Sequence, residues 1–341
     1  MLRAGLKWMF LIIGTTIGAG YASGRELWQF FGYESGLAIL LFAIFFSICC
    51  YVIMHVSYQK NSSDYLPVLR DIVGDKLTKV YDVMIFLYLT TTTVVMIAGS
   101  GATGQAFDLS YWWGVFVMTA GLIALFLRDI NGFLAMNQIV LPLLIGGLLY
   151  ILLLFINDQG LNVWSHLYEQ RNWTAAFPFT ALNILPLIAV LGAIGNKVKS
   201  KQEIYVAAIG SGVILGTISF IYNNSLIQIA DELLLYEIPL FAILKYYPVE
   251  ILIFMSILLW FAIFTTAASG VLGIVSRIQS RWNAPVWVLA VVVIIPMVPL
   301  TTVGFSALIN YIYPIYGILN LYVLTRLLLY PLWNRRENRH V

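Results

Sequence analysis

Three glycines interrupt the first apolar segment of the chain, within residues 14–20 (GTTIGAG). Each glycine destabilises a helix by roughly 1 kcal/mol relative to alanine, so this stretch is expected to leave the helical conformation. Unpaired backbone N–H and C=O groups are costly in hydrocarbon, and irregular backbone at membrane depth persists only where it is buried in protein or lines a cavity. The pattern therefore predicts an interrupted helix at a ligand site.

Two ionisable residues, Arg25 and Glu26, follow the interruption within the same segment. An ionisable group at membrane depth marks a functional site by default, and the alternative is a pair of long side chains that reach back to the interface. We expect Arg25 to pair with an acidic residue and to close the outer side of the site. Glu26 is expected to be the only acidic residue near the pathway, so a proton-coupled mechanism would depend on it.

Hydroxyl and amide side chains stand in three later apolar segments. Tyr88 precedes a run of threonines, Asn183 lies shortly before Pro186, and residues 262–270 read AIFTTAASG. A threonine in a helix can donate to the carbonyl of the preceding turn, so most of these hydroxyls are expected to be structural. The solute-binding candidates are Thr15, Thr16, Gly18, Ala19, Gly20, Tyr88, Thr180 and Asn183.

The two ends of an interrupted helix offer complementary chemistry. The N-terminus of a half-helix carries unpaired N–H groups that suit a carboxylate, and the C-terminal carbonyls suit a cation. An amino-acid-like zwitterion, or a carboxylate with a coupling ion, satisfies both ends. Because few charged residues are available to pair with a charged side chain, a small neutral amino acid is the expected solute.

Metalloenzyme and nucleic-acid-binding functions are not indicated. Cys49 and Cys50 are adjacent, so their side chains diverge on a helix, and the three histidines are far apart in the sequence. An enzyme would need a nucleophile with a base, or paired carboxylates, and a lone Glu26 supplies neither. With a net charge of +3, the chain has no basic footprint for nucleic acid. We expect no cofactor beyond sodium or a proton as coupling ion.

The composition identifies a polytopic all-α membrane protein. Of the 341 residues, 61% are hydrophobic and 10% are charged, whereas a soluble domain has about 25% charged residues. Apolar stretches of the roughly 20 residues that a bilayer requires predict ten transmembrane helices. These spans lie approximately at residues 5–31, 35–58, 77–106, 112–127, 132–156, 174–196, 203–229, 249–280, 285–300 and 302–331.

The distribution of basic residues supports this count. With the N-terminus inside, only Arg25, Arg171 and Lys245 of the 19 Lys and Arg residues fall on the outer side. Short cytoplasmic loops are enriched in Lys and Arg, and one missed span would invert every later loop. We therefore expect a multi-pass protein of the cell membrane with both termini in the cytoplasm. The fifth span contains no lysine to replace a bound cation, which favours sodium over proton coupling.

The ten spans divide into two halves of five, residues 1–156 and 172–331, within one transmembrane domain, residues 1–341. Repeats of five spans joined head to tail have opposite topologies, and in such transporters the first helix of each repeat is broken. Spans one and six are therefore expected to be discontinuous. In span six the break is expected at Asn183 and Pro186, because proline lacks the N–H group; an ordinary proline kink is the alternative.

Two outer connections are longer than plain loops. Residues 161–171 alternate apolar and polar side chains and are expected to form a short interfacial helix. Residues 231–247 contain two apolar stretches around Pro239 and are too short to cross the membrane twice. They are expected to form a helical hairpin over the outer vestibule, or else a surface helix without special role.

Residues 14–31 (GTTIGAGYASGRELWQFF), together with Asn183, resemble the YkvI-like family of bacterial membrane proteins. That family resembles the amino acid/polyamine/organocation superfamily, whose leucine-transporter fold has a 5+5 inverted repeat. The resemblance implies a sodium site made by the carbonyls of Gly14, Ile17 and Ala262 and the hydroxyls of Thr265 and Thr266. Arg25 falls one position later than the gating arginine of these relatives, and Asn310 stands where their acidic partner is expected.

Topology, interruptions and resemblance together predict a secondary active transporter that works by alternating access. The expected solute is small and amino-acid-like, and the expected coupling ion is sodium. A proton-coupled transporter is one alternative, and a nutrient sensor or receptor on the same scaffold is another. The expected partners are the solute, the coupling cation and the lipid bilayer.

Overall fold

The computed structural model describes residues 2–127, 131–160, 170–279, 282 and 284–337. Within these residues the regular elements are all helices. The first half contains α1 (Leu2–Thr16), α2 (Ala19–Ala22), α3 (Arg25–Phe30), α4 (Gly36–Gln59), α5 (Leu66–Val73), α6 (Asp75–Gln105), α7 (Tyr111–Leu127) and α8 (Asn131–Asp158). The second half contains α9 (Ala176–Gly192), α10 (Lys201–Ile227), α11 (Pro239–Leu244), α12 (Val249–Gln279), α13 (Val286–Met297), α14 (Phe305–Leu319) and α15 (Leu321–Glu337). Short 3-10 helices lie at Arg171–Ala175, Gly195–Lys197, Ala230–Leu235 and Pro299–Val303.

Helix length and composition make the chain a multi-pass membrane protein. Among the described residues, seven helices are long and apolar enough to cross a bilayer, and α14 with α15 forms an eighth span bent by 42°. Two shorter apolar helices, α1 and α7, occupy the predicted first and fourth spans. Each of the ten predicted spans therefore has a helical counterpart.

Span six does not have the predicted break. Helix α9 is continuous from Ala176 to Gly192, with Pro186 inside it. Proline removes only one hydrogen bond, and the adjacent turns of α9 are buried against α4 and α14, which favours the helical path. The irregular backbone begins after Gly192 instead. A side chain at Gly192 would lie 2.9 Å from Cα of Tyr65, so close packing explains this glycine.

Small residues allow the spans to approach closely. Helix α10 packs along α4, where Gly216 faces Ala43, and a methyl group at Gly216 would lie 2.7 Å from the Ala43 Cβ. Gly114 of α7 likewise packs against the backbone of α6, 2.8 Å from Cα of Gly101 by the same construction. Close backbone contact of this kind drives helix association in lipid, where hydrophobic burial contributes little driving force.

The segment that follows α10, called the outer segment because the sequence predicts it on the outer side, forms two short helices, the 3-10 helix Ala230–Leu235 and α11. Two helices therefore stand on either side of the turn before Pro239, and their role as a hairpin over the vestibule stays a prediction. Helix α11 is buried, and the Leu240 amide donates to the Ser23 carbonyl of span one at 2.9 Å. Residues 161–169, which contain most of the predicted interfacial helix, lie outside the described residues.

Candidate functional site

A cavity of about 820 Å³ lies between spans one, three, six, eight and ten. At one end its lining includes Asp64 and Leu66, which precede or begin α5 and are exposed. At the other end it includes Glu26, Met96 and Tyr313, which are buried. The cavity is therefore open at the end of the bundle that carries α5, called the α5 end below, and closed at the opposite end.

The cavity brings together most of the residues that the sequence singled out. The candidates on its lining are Gly14, Thr15, Thr16, Gly18, Glu26, Tyr88, Asn183, Thr265 and Thr266. Ile17, Ala19, Gly20, Arg25, Thr180 and Ala262 are not part of the lining. Thr180 is fully buried in α9, where its hydroxyl donates to the Ala176 carbonyl at 2.6 Å.

Span one is interrupted twice. Helix α1 ends at Thr16, and Gly18 has extended backbone angles (φ −96°, ψ −169°) before α2 begins, as the glycine pattern predicted. A second interruption, at Ser23 and Gly24, was not predicted from the sequence. Gly24 has φ +80°, and a methyl group there would lie 2.8 Å from the ring of Tyr222. The outer half of span one thus consists of two very short helices, so its dipole is weaker than that of the single half-helix expected.

The second turn directs Glu26 back toward α2. A methyl group at Gly20 would lie 2.6 Å from Cγ and 2.7 Å from Cδ of Glu26, so the missing side chain of Gly20 provides the space for this acid. The carboxyl group lines the closed end of the cavity and interacts electrostatically with Tyr88 and Tyr313. Among the described residues, none forms an ion pair or a hydrogen bond with it.

Arg25 points away from the cavity and holds the outer segment. Its guanidinium donates to the Glu237 carbonyl, at 3.2 Å from Nε and 3.1 Å from Nη2, and also to the Tyr236 carbonyl. The Glu237 carboxylate accepts from the Ser306 amide at 2.7 Å, at the start of α14. Arg25 thus links span one to the outer segment, and the Glu237 carboxylate links that segment to span ten. An acidic residue does attract Arg25, as predicted, but the hydrogen bonds go to the main chain of Glu237 and not to its carboxylate.

The proposed sodium ligands come from α1 and α12, which meet at the first interruption. A methyl group at Gly18 would lie 3.6 Å from Cγ2 of Thr266, which places the unwound backbone in contact range of α12. The hydroxyls of Thr265 and Thr266 both donate to the Ala262 carbonyl, at 3.0 and 2.9 Å. Both hydrogens are thus used within the helix, and the hydroxyl oxygens are of the hard type that binds an alkali cation.

Other polar side chains of the lining use their hydrogens in the same way. Thr15 donates to the Leu11 carbonyl at 2.8 Å, Thr16 to Ile12 at 3.0 Å, and Asn183 Nδ2 to Phe179 at 2.9 Å. A hydroxyl that donates to its own helix has only acceptor capacity left, whereas the Asn183 amide keeps a second N–H donor beside its Oδ1 acceptor. These lining side chains therefore present lone pairs to the cavity.

A polar cluster at the open end was not predicted. Tyr65 donates to Asp82 Oδ1 at 2.6 Å, and Arg277 donates to the Tyr65 hydroxyl at 2.8 Å while its guanidinium pairs with both Asp82 oxygens. Burial and the Asp82 hydrogen bond raise the pKa of Tyr65, so this phenol keeps its proton. Asp64 and Asp82 both line the cavity, so Glu26 is not its only acid. The sequence signal for this cluster was an acidic residue, Asp82, inside span three and a basic residue, Arg277, inside span eight.

Sequence comparison connects the chain with two proteins of Bacillus subtilis (strain 168). It is 46% identical to YyaD over 334 residues, which cover 98% of each chain. It is 25% identical to the membrane protein YkvI over 322 residues, which cover 92% of each. The chain belongs to the YkvI-like family. No protein-family model matches it.

Structural comparison shows that this YkvI-like chain has the leucine-transporter fold. It is similar to MhsT in complex with L-phenylalanine, with a TM-score of 0.68, 13% identity and coverage of 94% of this chain and 87% of MhsT. It is also similar to a Na⁺-coupled sialic acid symporter in a substrate-bound outward-open state, with a TM-score of 0.59 and 14% identity, covering 92% of this chain and 74% of the symporter. The resemblance stated from the sequence is confirmed at the level of fold and family.

Proposed function

We propose that the protein is a secondary active transporter that moves a small, amino-acid-like solute by alternating access. The observation that carries this proposal is the cavity beside an interrupted helix, open at the α5 end and closed at the other. Alternating access requires such a central site with one closed side. With the α5 end in the cytoplasm, as the basic residues favour, this conformation faces inward. The structural neighbours act as transporters, which supports the same class.

We further propose sodium as the coupling ion, bound by the carbonyls of Gly14, Ile17 and Ala262 and the hydroxyls of Thr265 and Thr266. Carbonyl and hydroxyl oxygens are hard ligands, which suit a small alkali cation. The close approach of the interruption at Gly18 to Thr266 of α12 supports the assignment. A bound cation would take one lone pair of the Ala262 carbonyl oxygen, which now accepts from both hydroxyls. Because the same cation would also bind the carbonyls of Gly14 and Ile17, ion binding would tighten the junction of span one with α12.

The test is sodium-driven uptake into proteoliposomes, measured beside thermal unfolding in sodium and in potassium buffer. Changing Thr265→Ala together with Thr266→Ala removes two of the five proposed ligands, and sodium-dependent uptake and stabilisation should both disappear. An ion at 100 times its dissociation constant stabilises by roughly 2.7 kcal/mol, so the loss is measurable. Thr325→Ala is the matched control, because this exposed threonine makes the same hydroxyl bond to the preceding turn, at 2.8 Å to Leu321.

Proton coupling is the second candidate, and the buried carboxyl of Glu26 at the closed end of the cavity favours it. Under that candidate, uptake would follow a pH gradient and Glu26→Gln would abolish it, while the double threonine variant would behave as wild type. Sodium dependence that survives in the double threonine variant would refute the sodium site. Solute binding without uptake under any gradient would identify a sensor.

A further inference from the structure

The closed end of the cavity carries a buried carboxyl group, that of Glu26, for which the described residues provide no ion pair. Glu26 is 5% exposed. Arg25, its neighbour in the chain, donates to the carbonyls of Tyr236 and Glu237, and Arg277, which lines the same cavity, pairs with Asp82 at the open end. An isolated carboxylate is costly at membrane depth, so this site favours a bound positive charge.

The surrounding side chains also favour a ligand that donates hydrogen bonds, because they offer acceptors to the cavity. Asn183 donates to Phe179 and keeps its Oδ1 as an acceptor, and the hydroxyls of Thr15 and Thr16 keep only lone pairs. A ligand with several N–H donors satisfies these acceptors. A carboxylate would face the same acceptors, beside the second N–H of Asn183 and the phenol hydroxyls of Tyr88 and Tyr313. The rings of Tyr88 and Tyr313 also border the cavity, and aromatic faces attract cations.

We propose that Glu26 binds the ammonium group of the solute, and that the solute class is therefore small primary amines, including amino acids, for which the amine is required and the carboxylate is dispensable. This inference rests on the proposed transport function, because it names the group by which that solute is recognised. Gly20 belongs to the same arrangement, since its missing side chain allows Glu26 to lie beside α2.

The test is thermal unfolding of the purified full chain with three isosteric probes: L-leucine, 3-methylbutylamine, which lacks the carboxylate, and 4-methylpentanoate, which lacks the amine. A second set, phenylalanine, 2-phenylethylamine and 3-phenylpropionate, covers a larger side chain. We expect the amino acid and the amine of at least one set to raise the unfolding midpoint and the acid to leave it unchanged. This comparison needs only the wild-type protein, so it does not depend on a variant that folds.

Glu26→Gln keeps the shape of the side chain and removes its charge. The amine affinity should fall by roughly 10- to 100-fold, which is the range for one charge-assisted hydrogen bond. Glu232→Gln is the control, because Glu232 pairs with Lys245 on the outer surface, away from the cavity. Its amine affinity should equal that of the wild type.

Three results would overturn the inference: a midpoint raised by the acids and not by the amines, no amine-dependent shift in either set, or an amine shift that Glu26→Gln leaves intact. If sodium-dependent uptake persists while the amines fail, this inference fails alone and the transport proposal stands. If the amines bind through Glu26 and no gradient drives uptake, the transport proposal fails and the ammonium site remains.

Discussion

Adding one methyl group at Gly20 should show whether this position requires glycine for packing or only for backbone flexibility. In Gly20→Ala, the new Cβ would lie 2.6 and 2.7 Å from Cγ and Cδ of Glu26, well inside van der Waals contact. Glu26 is buried and borders the cavity, so clearing the new methyl group would move its carboxyl away from α2. Overpacking of this kind costs about 1–3 kcal/mol, and we expect the free energy of unfolding to fall by that amount.

A double-mutant cycle tests the cause of that loss. In the Glu26→Ala background the obstructing atoms are absent, so Gly20→Ala should cost at least about 1 kcal/mol less than it does in the wild type. Helix propensity alone would make alanine the better residue by roughly 1 kcal/mol. Gly146→Ala in α8 reports that intrinsic effect, because no atom lies within 4 Å of its would-be Cβ.

The assay is equilibrium unfolding in mixed detergent micelles, with the four members of the cycle and the Gly146→Ala control measured side by side. Amine-induced stabilisation should also weaken in Gly20→Ala, since the displaced carboxyl no longer lies beside α2. The reasoning would be refuted if Gly20→Ala were as harmless as Gly146→Ala, or if its cost were the same with and without the Glu26 side chain.

Two further predictions concern the two ends of the cavity. Asp82→Asn removes the charged partner of the partly buried Arg277 guanidinium, so the free energy of unfolding should fall by about 1–3 kcal/mol. Asp75→Asn is the control: it breaks the exposed pair with Arg70 and should cost less than about 1 kcal/mol in the same assay. Arg25→Gln removes the donors that hold the outer segment, so amides of residues 230–244 should exchange with deuterium faster while those of α12 keep wild-type rates; unchanged exchange in that segment would show that Arg25 does not hold it.

Hydropathy and glycine content predicted the features of this fold that depend on neighbouring residues. Ten spans follow from apolar length, because a bilayer requires about 20 apolar residues for each helix. The interruption after Thr16 follows from helix propensity, because glycine pays the largest entropy cost in a helix. The candidates on α1 and α9 meet at one cavity because an inverted repeat places its first helices together at the centre, and those on α12 line the same cavity.

Span six shows where local pattern misleads. Proline and an amide in the middle of an apolar span predicted a break, yet α9 is continuous there because packing on both sides supports the helical turns around Pro186. Proline in a helix interior costs roughly 3 kcal/mol, whereas burial of a whole helix face is a sum of many contacts. The turn at Gly24 was missed because its cause is a distant residue. Tyr222, about 200 residues away, occupies the space beside Gly24, so the local pattern does not show why glycine is required there.

The sequence alone thus determined the membrane class, the number of spans, the first interruption and the types of residue available for a site. Only the tertiary structure decided which of those residues share a cavity, that Gly20 makes room for Glu26, and that Arg25 binds main-chain carbonyls in place of a carboxylate. The reason is physical: hydropathy and backbone propensity act between near neighbours in the chain, whereas charge balance and steric fit are set by residues that folding brings together from far apart.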